Sequence, residues 1–520
     1  MRSRPFRHIA LAALALATPA AALAQDPPKS HKPVPYDTRV TNWVTPAMQE
    51  WKPAAGRFGL TSKSRIAARG EAGDVARLLA GDLPAVAGVA PMVSAGIARA
   101  GDIALEIGDP GVVSQSPEAY SITIGTSVTV RARTAAGLLH GTQSLLQLLK
   151  HDPARRSLPA GVASDWPESP RRAMMVDVGR KYFEIDQLEK LMREMAWLKL
   201  NTLALHFTDW PAFRLRSEKF PGLADRQSYD RKDIARLEAM ARRYHILLIP
   251  EIDLPAHASA IIRYKPSLAF NCRSMRESPW LNRAAGEDAK KLAWTVDVTK
   301  QENRAFLASV LDEFIPWFSG PYFHIGGDEY QYDVDKTRCP ELMDYTKQRG
   351  FQYPGDVFVD WINETNKQVR KHGKTTVIWN WWRFKDDKTS IQPDRDILIY
   401  GWNSPREQDI LDNGYSMLIS PEDKLYVVPG IANFDGGGYG VVDTEKVYES
   451  MPIRRDPKVL GYMLALWADA GEHRTDTYLL GQSYEPMAVL AERLWSDRGS
   501  ESLDAFLARL NKTGAAPVRR

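Results

Sequence analysis

The seven residues His324-Ile325-Gly326-Gly327-Asp328-Glu329-Tyr330 hold this chain's densest concentration of candidate chemistry. Two adjacent carboxylates follow a glycine pair at the end of a short apolar run, residues 321–325. A strand tip followed by pliant backbone is a good place to present acids to a substrate. Two acids in one field also titrate apart. One stays ionised while the other keeps its proton near neutral pH, as acid catalysis requires. An isolated Gly-Gly-Asp-Glu reads first as a solvated turn, so the surrounding elements have to decide its meaning.

Those elements alternate. From residue 166 onward, strand-like segments are predicted at 174–178, 202–207, 247–252, 322–325, 375–379, 397–400, 417–419 and 460–466. Helical periodicity fills the gaps near 186–199, 232–244, 301–318 and 355–372. Eight strands in βα alternation over residues 166–510 predict a (β/α)8 TIM barrel. A doubly wound open sheet is the alternative, because strand count alone does not show closure. Residues 36–165 read as a smaller α+β domain, with strands at 102–107, 120–124 and 128–132 and an amphipathic helix at 135–149. It shows no residue pattern suited to chemistry.

The predicted strand ends are decorated. They carry Asp177 and Arg180, His206 and Asp209, then Glu251, Asp253 and His257. Asp328 and Glu329 follow, then Trp379, Trp402, Tyr426, Trp467 and Asp469. A single tryptophan is more often packing, and a single histidine more often a satisfied polar residue. An acid, a histidine or an aromatic at nearly every end is harder to explain that way, since barrels keep their catalytic groups at the carboxyl ends of strands. Acids among tryptophans suit a sugar. Pyranose rings offer apolar C–H faces to indoles, and their hydroxyls need charged partners. The chain has no His-Glu-x-x-His zinc motif, phosphate loop or dinucleotide fingerprint, so neither metal nor cofactor is expected. The glycine-rich residues 436–440 read as a loop.

Bulk properties restrict the setting. Residues 1–24 carry Arg2, Arg4 and Arg7, an apolar stretch and the small cleavage-like Ala22-Leu23-Ala24, which is a secretory signal pattern. A Pro- and Lys-rich leader, 25–35, follows. An exported protein, periplasmic or secreted, without a membrane span is expected. The chain has 68 basic and 64 acidic residues, and three basic ones leave with the signal. The near-neutral remainder gives no electrostatic case for nucleic acid. Cys272 and Cys339 are the only cysteines. They could pair in an oxidising compartment or stand as two buried thiols.

Several segments together resemble the β-N-acetylhexosaminidases of glycoside hydrolase family 20, over about 90% of the mature chain. Residues 137–143 (Gly-Leu-Leu-His-Gly-Thr-Gln) resemble its non-catalytic domain. Residues 172–180, 205–209 and 250–257 resemble its first three barrel strands, and His324 to Tyr330 its most specific motif. The resemblance implies an exo-acting, retaining mechanism in which the substrate's 2-acetamido group is the nucleophile, an exception among retaining glycosidases. It implies Glu329 as general acid and base, Asp328 as the partner of the acetamido N–H, and Tyr426 as the partner of its carbonyl. Trp379, Trp402 and Trp467 would wall the pocket. Arg172 and Asp469 would take sugar hydroxyls, while Asp209, His257 and His324 would support the acids from behind. The substrate would be an oligosaccharide or glycoconjugate ending in N-acetylhexosamine.

Four positions depart from the family pattern: Trp210, Ala256, Val428 and Asp469. The last two touch hydroxyl recognition, which keeps a lacto-N-biosidase-like, disaccharide-releasing activity open. A non-catalytic sugar-binding barrel is a further alternative. Gly-Gly-Asp-Glu-Tyr also lies one residue from the Gly-Gly-Asp-Glu-Phe of diguanylate cyclases, but an exported chain meets no GTP.

Overall fold

A computed structural model describes residues 39–277, 292–330, 339–381, 388–403, 406–430, 440–496 and 501–518. The predicted signal and leader lie outside the described residues, as does the glycine-rich stretch up to residue 439. No helix among the described residues is long and apolar enough to cross a membrane.

The small domain is a seven-stranded mixed sheet. In chain order its strands are β1 (Glu50–Gly59), β2 (Arg65–Ala68), β3 (Met92–Ser94), β4 (Ile103–Ile107), β5 (Tyr120–Ile124), β6 (Val128–Ala132) and β7 (Ser157–Asp165). They lie in the order β1-β7-β5-β6-β4-β2-β3. Two helices, α1 (Ala72–Ala87) and α2 (Ala135–Leu149), pack on it. Thr134 starts α2 by accepting a hydrogen bond from the Gly137 N–H. The glycines at 137 and 141 of that helix have a packing reason. A Cβ on Gly137 would lie 2.8 Å from the Ala132 Cβ, and one on Gly141 2.5 Å from the Val130 Cγ1, so α2 rests directly on the sheet.

The barrel closes. Its strands are β8 (Arg171–Asp177), β9 (Thr202–His206), β10 (Leu247–Leu254), β11 (Tyr322–Gly326), β12 (Thr375–Trp379), β13 (Leu398–Gly401), β14 (Met417–Ile419) and β16 (Val459–Leu466). All neighbours are parallel, and β14 pairs back onto β16, which removes the open-sheet alternative. A two-residue strand, β15 (Tyr426–Val427), pairs alongside the carboxyl end of β16. All eight predicted strands fall on observed ones. The helix predicted over 301–318 stops at Phe314, and a 3₁₀ turn, Ile315–Trp317, takes over. Pro316 lacks the N–H that an α-helix would use there.

Register places the polar residues. Asp177 pairs with His206, His206 with Glu251, and Glu251 with His324, so four adjacent strands carry a polar belt at one level. The barrel interior is a separate apolar cluster that includes Ala173, Met175, Ile249 and Met463 and extends to Trp379, Tyr426 and Trp467.

Arg172 requires a correction. It is the second residue of β8, at the end opposite Asp177, and is fully buried. Its guanidinium donates to the Lys199 carbonyl (2.7 Å), the Ser169 carbonyl (2.9 Å) and Glu118 Oε2 (2.7 Å), and lies 5.0 Å from the Trp495 ring centroid. Beside it Lys199 pairs with Asp165 at 2.9 Å. Arg172 thus joins the small domain to the base of the barrel and contacts no predicted site residue. Removing one partner of a buried, hydrogen-bonded pair costs about 3–5 kcal/mol. Arg172→Ala is expected to lower the denaturation midpoint steeply while leaving KM unchanged. A raised KM with unchanged stability would contradict this placement.

Candidate active site

The turn after β11 is sterically confined at its first glycine. Gly326 and Gly327 have φ of 73° and 93°, and Glu329 has 51°. A Cβ at Gly326 would fall 1.7 Å from Asp253 Oδ1, so only glycine lets this backbone pass the β10 carboxylate. His257, after β10, also has a left-handed backbone, φ 52°. Such a conformation costs a non-glycine residue about 1–3 kcal/mol, and both cases lie at the predicted chemistry.

His257 stands between the acids and Asp209. Its Nδ1 is 3.0 Å from Asp209 Oδ2, while its Nε2 lies 3.5 Å from Glu329 Oε2 and 3.6 Å from Asp328 Oδ2. The Trp294 ring packs on the imidazole, with centroids 4.2 Å apart. Burial works against the imidazolium, but Asp209 and then Asp328 overcome it and raise the pKa to about 9. Burial pushes the Glu329 carboxyl up to about 8, with Asp328 adding to the shift and His257 opposing it. Glu329 therefore holds its proton at neutral pH. That is the state of a general acid.

Asp328 has a second carboxyl beside it. Asp253 accepts from the Gly327 N–H (3.3 Å), and its own N–H donates to Thr208 Oγ1 (2.8 Å). Burial, then the Asp328 charge, raises Asp253 well above the carboxylate range; burial raises Asp328 too, but His257 and the hydrogen bond with Asp253 oppose that shift. Asp253 keeps the proton of this pair, and Asp328 keeps an acceptor.

Aromatic rings enclose the region. Trp379 is buried, with its Nε1 donating to Glu251 Oε1 at 2.6 Å. Trp467 lies 5.8 Å from Trp379 and 5.7 Å from Tyr426 between centroids. Trp402 is half-buried and stacks on Trp381. His324 packs beneath Trp379 and Tyr400, and its Nδ1 accepts from the Gly326 N–H at 3.0 Å. Burial depresses it to about 4, so it is neutral there.

Arg180, which sequence reasoning placed at a strand end without a role, occupies the position given to Arg172. It pairs with Asp177 (2.9 Å), Asp209 (3.0 Å) and Asp469 (3.7 Å) and lies 5.2 Å from the Trp467 centroid. The spacing Asp177-x-x-Arg180 past a strand end was the available signal. Asp253 and Trp294 were likewise unassigned. Several buried atoms in this region have no hydrogen-bond partner among the described residues: Arg180 Nε, His257 Nε2, Asp328 Oδ1, Asp469 Oδ2 and the Nε1 atoms of Trp402 and Trp467. Unsatisfied buried donors and acceptors on aromatic walls suit a hydroxyl-rich ligand.

Cys272 and Cys339 form a disulfide, with Cα atoms 5.3 Å apart. It ties the segment after β10 to the segment after β11, whose strand tips carry His257 and the acid pair.

Comparison with known proteins agrees with this geometry. The chain is 24% identical to a lacto-N-biosidase of Bifidobacterium bifidum, over 87% of this chain and 40% of that protein. It is 24% identical to a beta-hexosaminidase of Porphyromonas gingivalis, over 84% of this chain and 58% of that one. The chain thus spans about half the length of these curated relatives. Among solved structures, a GH20 exo beta-N-acetylglucosaminidase of Vibrio harveyi superposes with TM-score 0.77 at 20% identity, covering 94% of this chain and 79% of the other. A Streptomyces plicatus beta-hexosaminidase does so with TM-score 0.70 at 23% identity, covering 91% and 94%. Residues 170–498 match the family described as glycosyl hydrolase family 20, catalytic domain, and residues 41–166 match its domain 2. With the catalytic-domain match spanning the whole barrel and the acid pair, the chain belongs to glycosyl hydrolase family 20.

Proposed function

We propose that this protein is an exo-acting β-N-acetylhexosaminidase that releases terminal GlcNAc or GalNAc with retention, through an oxazolinium intermediate formed by the substrate's own acetamide. The observation that carries this reading is the division between two adjacent acids. Glu329 holds a proton at neutral pH, while Asp328 has a neutral neighbour in Asp253 and an imidazolium in His257. Glu329 gives its proton to the glycosidic oxygen and later takes one from water. Asp328 accepts the acetamido N–H, turns the carbonyl oxygen toward C1 and stabilises the charge that develops on the ring. Tyr426 holds that carbonyl oxygen. Trp379, Trp402 and Trp467 surround the acetamido methyl and the sugar face, and Arg180 with Asp469 takes the distal hydroxyls.

Hydrolysis of a chromogenic N-acetyl-β-glucosaminide by the wild-type protein, with a β-configured first product, tests the reading. Binding of GlcNAc without turnover would leave a sugar-binding barrel instead. The acid form of Glu329 is lost as pH rises through about 8. The alkaline limb of kcat/KM on chitobiose is therefore expected near that pH, and a limb below pH 6 would contradict the assignment.

A second reading rests on Asp469 and Val428. Val428 is buried and offers no hydroxyl partner, and Asp469 has a short side chain that stands beside Arg180. Room at the distal end would suit a substituted sugar, and one similar protein is named a lacto-N-biosidase. Incubation with lacto-N-tetraose discriminates, since a released disaccharide favours that reading and an untouched substrate the first.

The signal pattern of residues 1–24 and the disulfide also support export to an oxidising compartment, periplasmic or extracellular. A mature protein beginning at Gln25 is expected from N-terminal sequencing of the exported fraction.

A further inference from the structure

The centre of the site contains a buried histidine that the mechanism above does not use. His206 ends β9 and is fully buried beneath the Trp467 indole, with ring centroids 5.1 Å apart at 75°. Its two nitrogens face two different carboxylates. Nε2 lies 3.0 Å from Asp209 Oδ2, and Nδ1 lies 2.9 Å from Glu251 Oε2, the latter an ion pair rather than an in-line hydrogen bond. Each carboxylate has a second task. Asp209 Oδ2 also accepts from His257 Nδ1, and Glu251 Oε1 accepts from the Trp379 indole. An ionised carboxylate can only accept, so a neutral imidazole would turn one lone pair against an oxygen about 3 Å away. Both ring nitrogens must therefore carry protons.

We propose that His206 is a fixed imidazolium that positions both halves of the site at once, setting Trp379 through Glu251 and setting His257, and with it the acid pair, through Asp209. This deepens the hexosaminidase reading and rests on it. The residue touches no substrate; it is a positioning residue. The charged and titratable groups facing it are Asp177 from β8, Asp209 from its own loop, Glu251 and Asp253 from β10, and Asp328 from the turn after β11. His257 lies beyond β10 and His324 on β11, while Arg180 shares Asp209. The carboxylates dominate this set, and they raise the His206 pKa well above its ordinary value despite burial. His206 therefore stays charged across the working pH range.

A shared strut has a different signature from either arm alone. Glu251→Gln, which disturbs Trp379, is expected to slow aryl N-acetylglucosaminides and chitobiose alike. Asp209→Asn, which releases His257, is expected to hurt chitobiose more, because only that leaving group needs the acid. His206→Gln is expected to show both effects. It should lose about 10–100-fold in kcat/KM on the aryl substrate and about tenfold more on chitobiose. Its alkaline limb should move to higher pH, because removal of a cation makes Glu329 harder to ionise. A His206→Gln protein with the wild-type substrate ratio and pH profile, however unstable, would overturn the proposal. Should that variant not fold, neutron diffraction from wild-type crystals at pH 7 decides. Protons on both His206 nitrogens support the strut, and a single proton overturns it. A wild-type protein that hydrolyses neither substrate would overturn the activity reading and leave the protonation result standing by itself.

Discussion

Glu329→Gln is expected to reduce kcat/KM on chitobiose by about 10³–10⁴-fold, near the upper range for loss of a general acid. The loss on a dinitrophenyl glycoside is expected to be about a hundredfold smaller, because that leaving group departs without a proton. The structure makes the split sharp. Glutamine keeps the volume and the left-handed turn at φ 51°, so the variant tests the proton and not the fold. The alkaline limb expected near pH 8 should vanish with the Glu329 carboxyl. Equal losses on both substrates, or a limb that survives, would move the acid elsewhere.

Asp328→Asn is expected to lose about 10²–10³-fold on both substrates, or about 2.7–4 kcal/mol of transition-state stabilisation. In the proposed mechanism the charge it removes faces the oxazolinium, which forms whatever the leaving group. The same change relieves a burial cost. Asp328 is a carboxylate whose pKa burial raises. An amide carries no charge to desolvate, so the variant is expected to melt at or above the wild-type temperature. An aryl-substrate rate near wild type would refute the role of Asp328. A marked loss of stability would refute the reading of Asp328 as a charge held against burial.

The contrast between Arg172 and Arg180 shows what was legible in the residues and why the rest was not. Both arginines flank the same strand in sequence, eight positions apart. A strand rises about 3.3 Å per residue, so its two ends face opposite sides of a barrel. Composition cannot say which end meets substrate, and a motif match that spans both does not choose between them. The structure decides, because Arg172 reaches back to Glu118 across the domain junction and Arg180 reaches Asp209 and Asp469. His206 and Asp253 were visible as strand-end polar residues. Their work depends on partners far away in sequence, Glu251 for the first and Asp328 for the second. The glycine pair was read as pliant because glycine permits many conformations. In the fold, a β10 carboxylate fills the space where a side chain would be.

Local residue patterns by themselves determined the eight strands, their order, the small domain ahead of them, and the acid pair at the fourth strand tip. Periodicity and turn chemistry are short-range, so they survive in one dimension. Only the tertiary structure decided that the sheet closes through β14 and β16 and that the two cysteines meet. It also decided that Arg180 rather than Arg172 enters the site, and that His206 lies between two carboxylates. These outcomes depend on burial and on distances between residues far apart in the chain, and those quantities come into being only when the barrel closes.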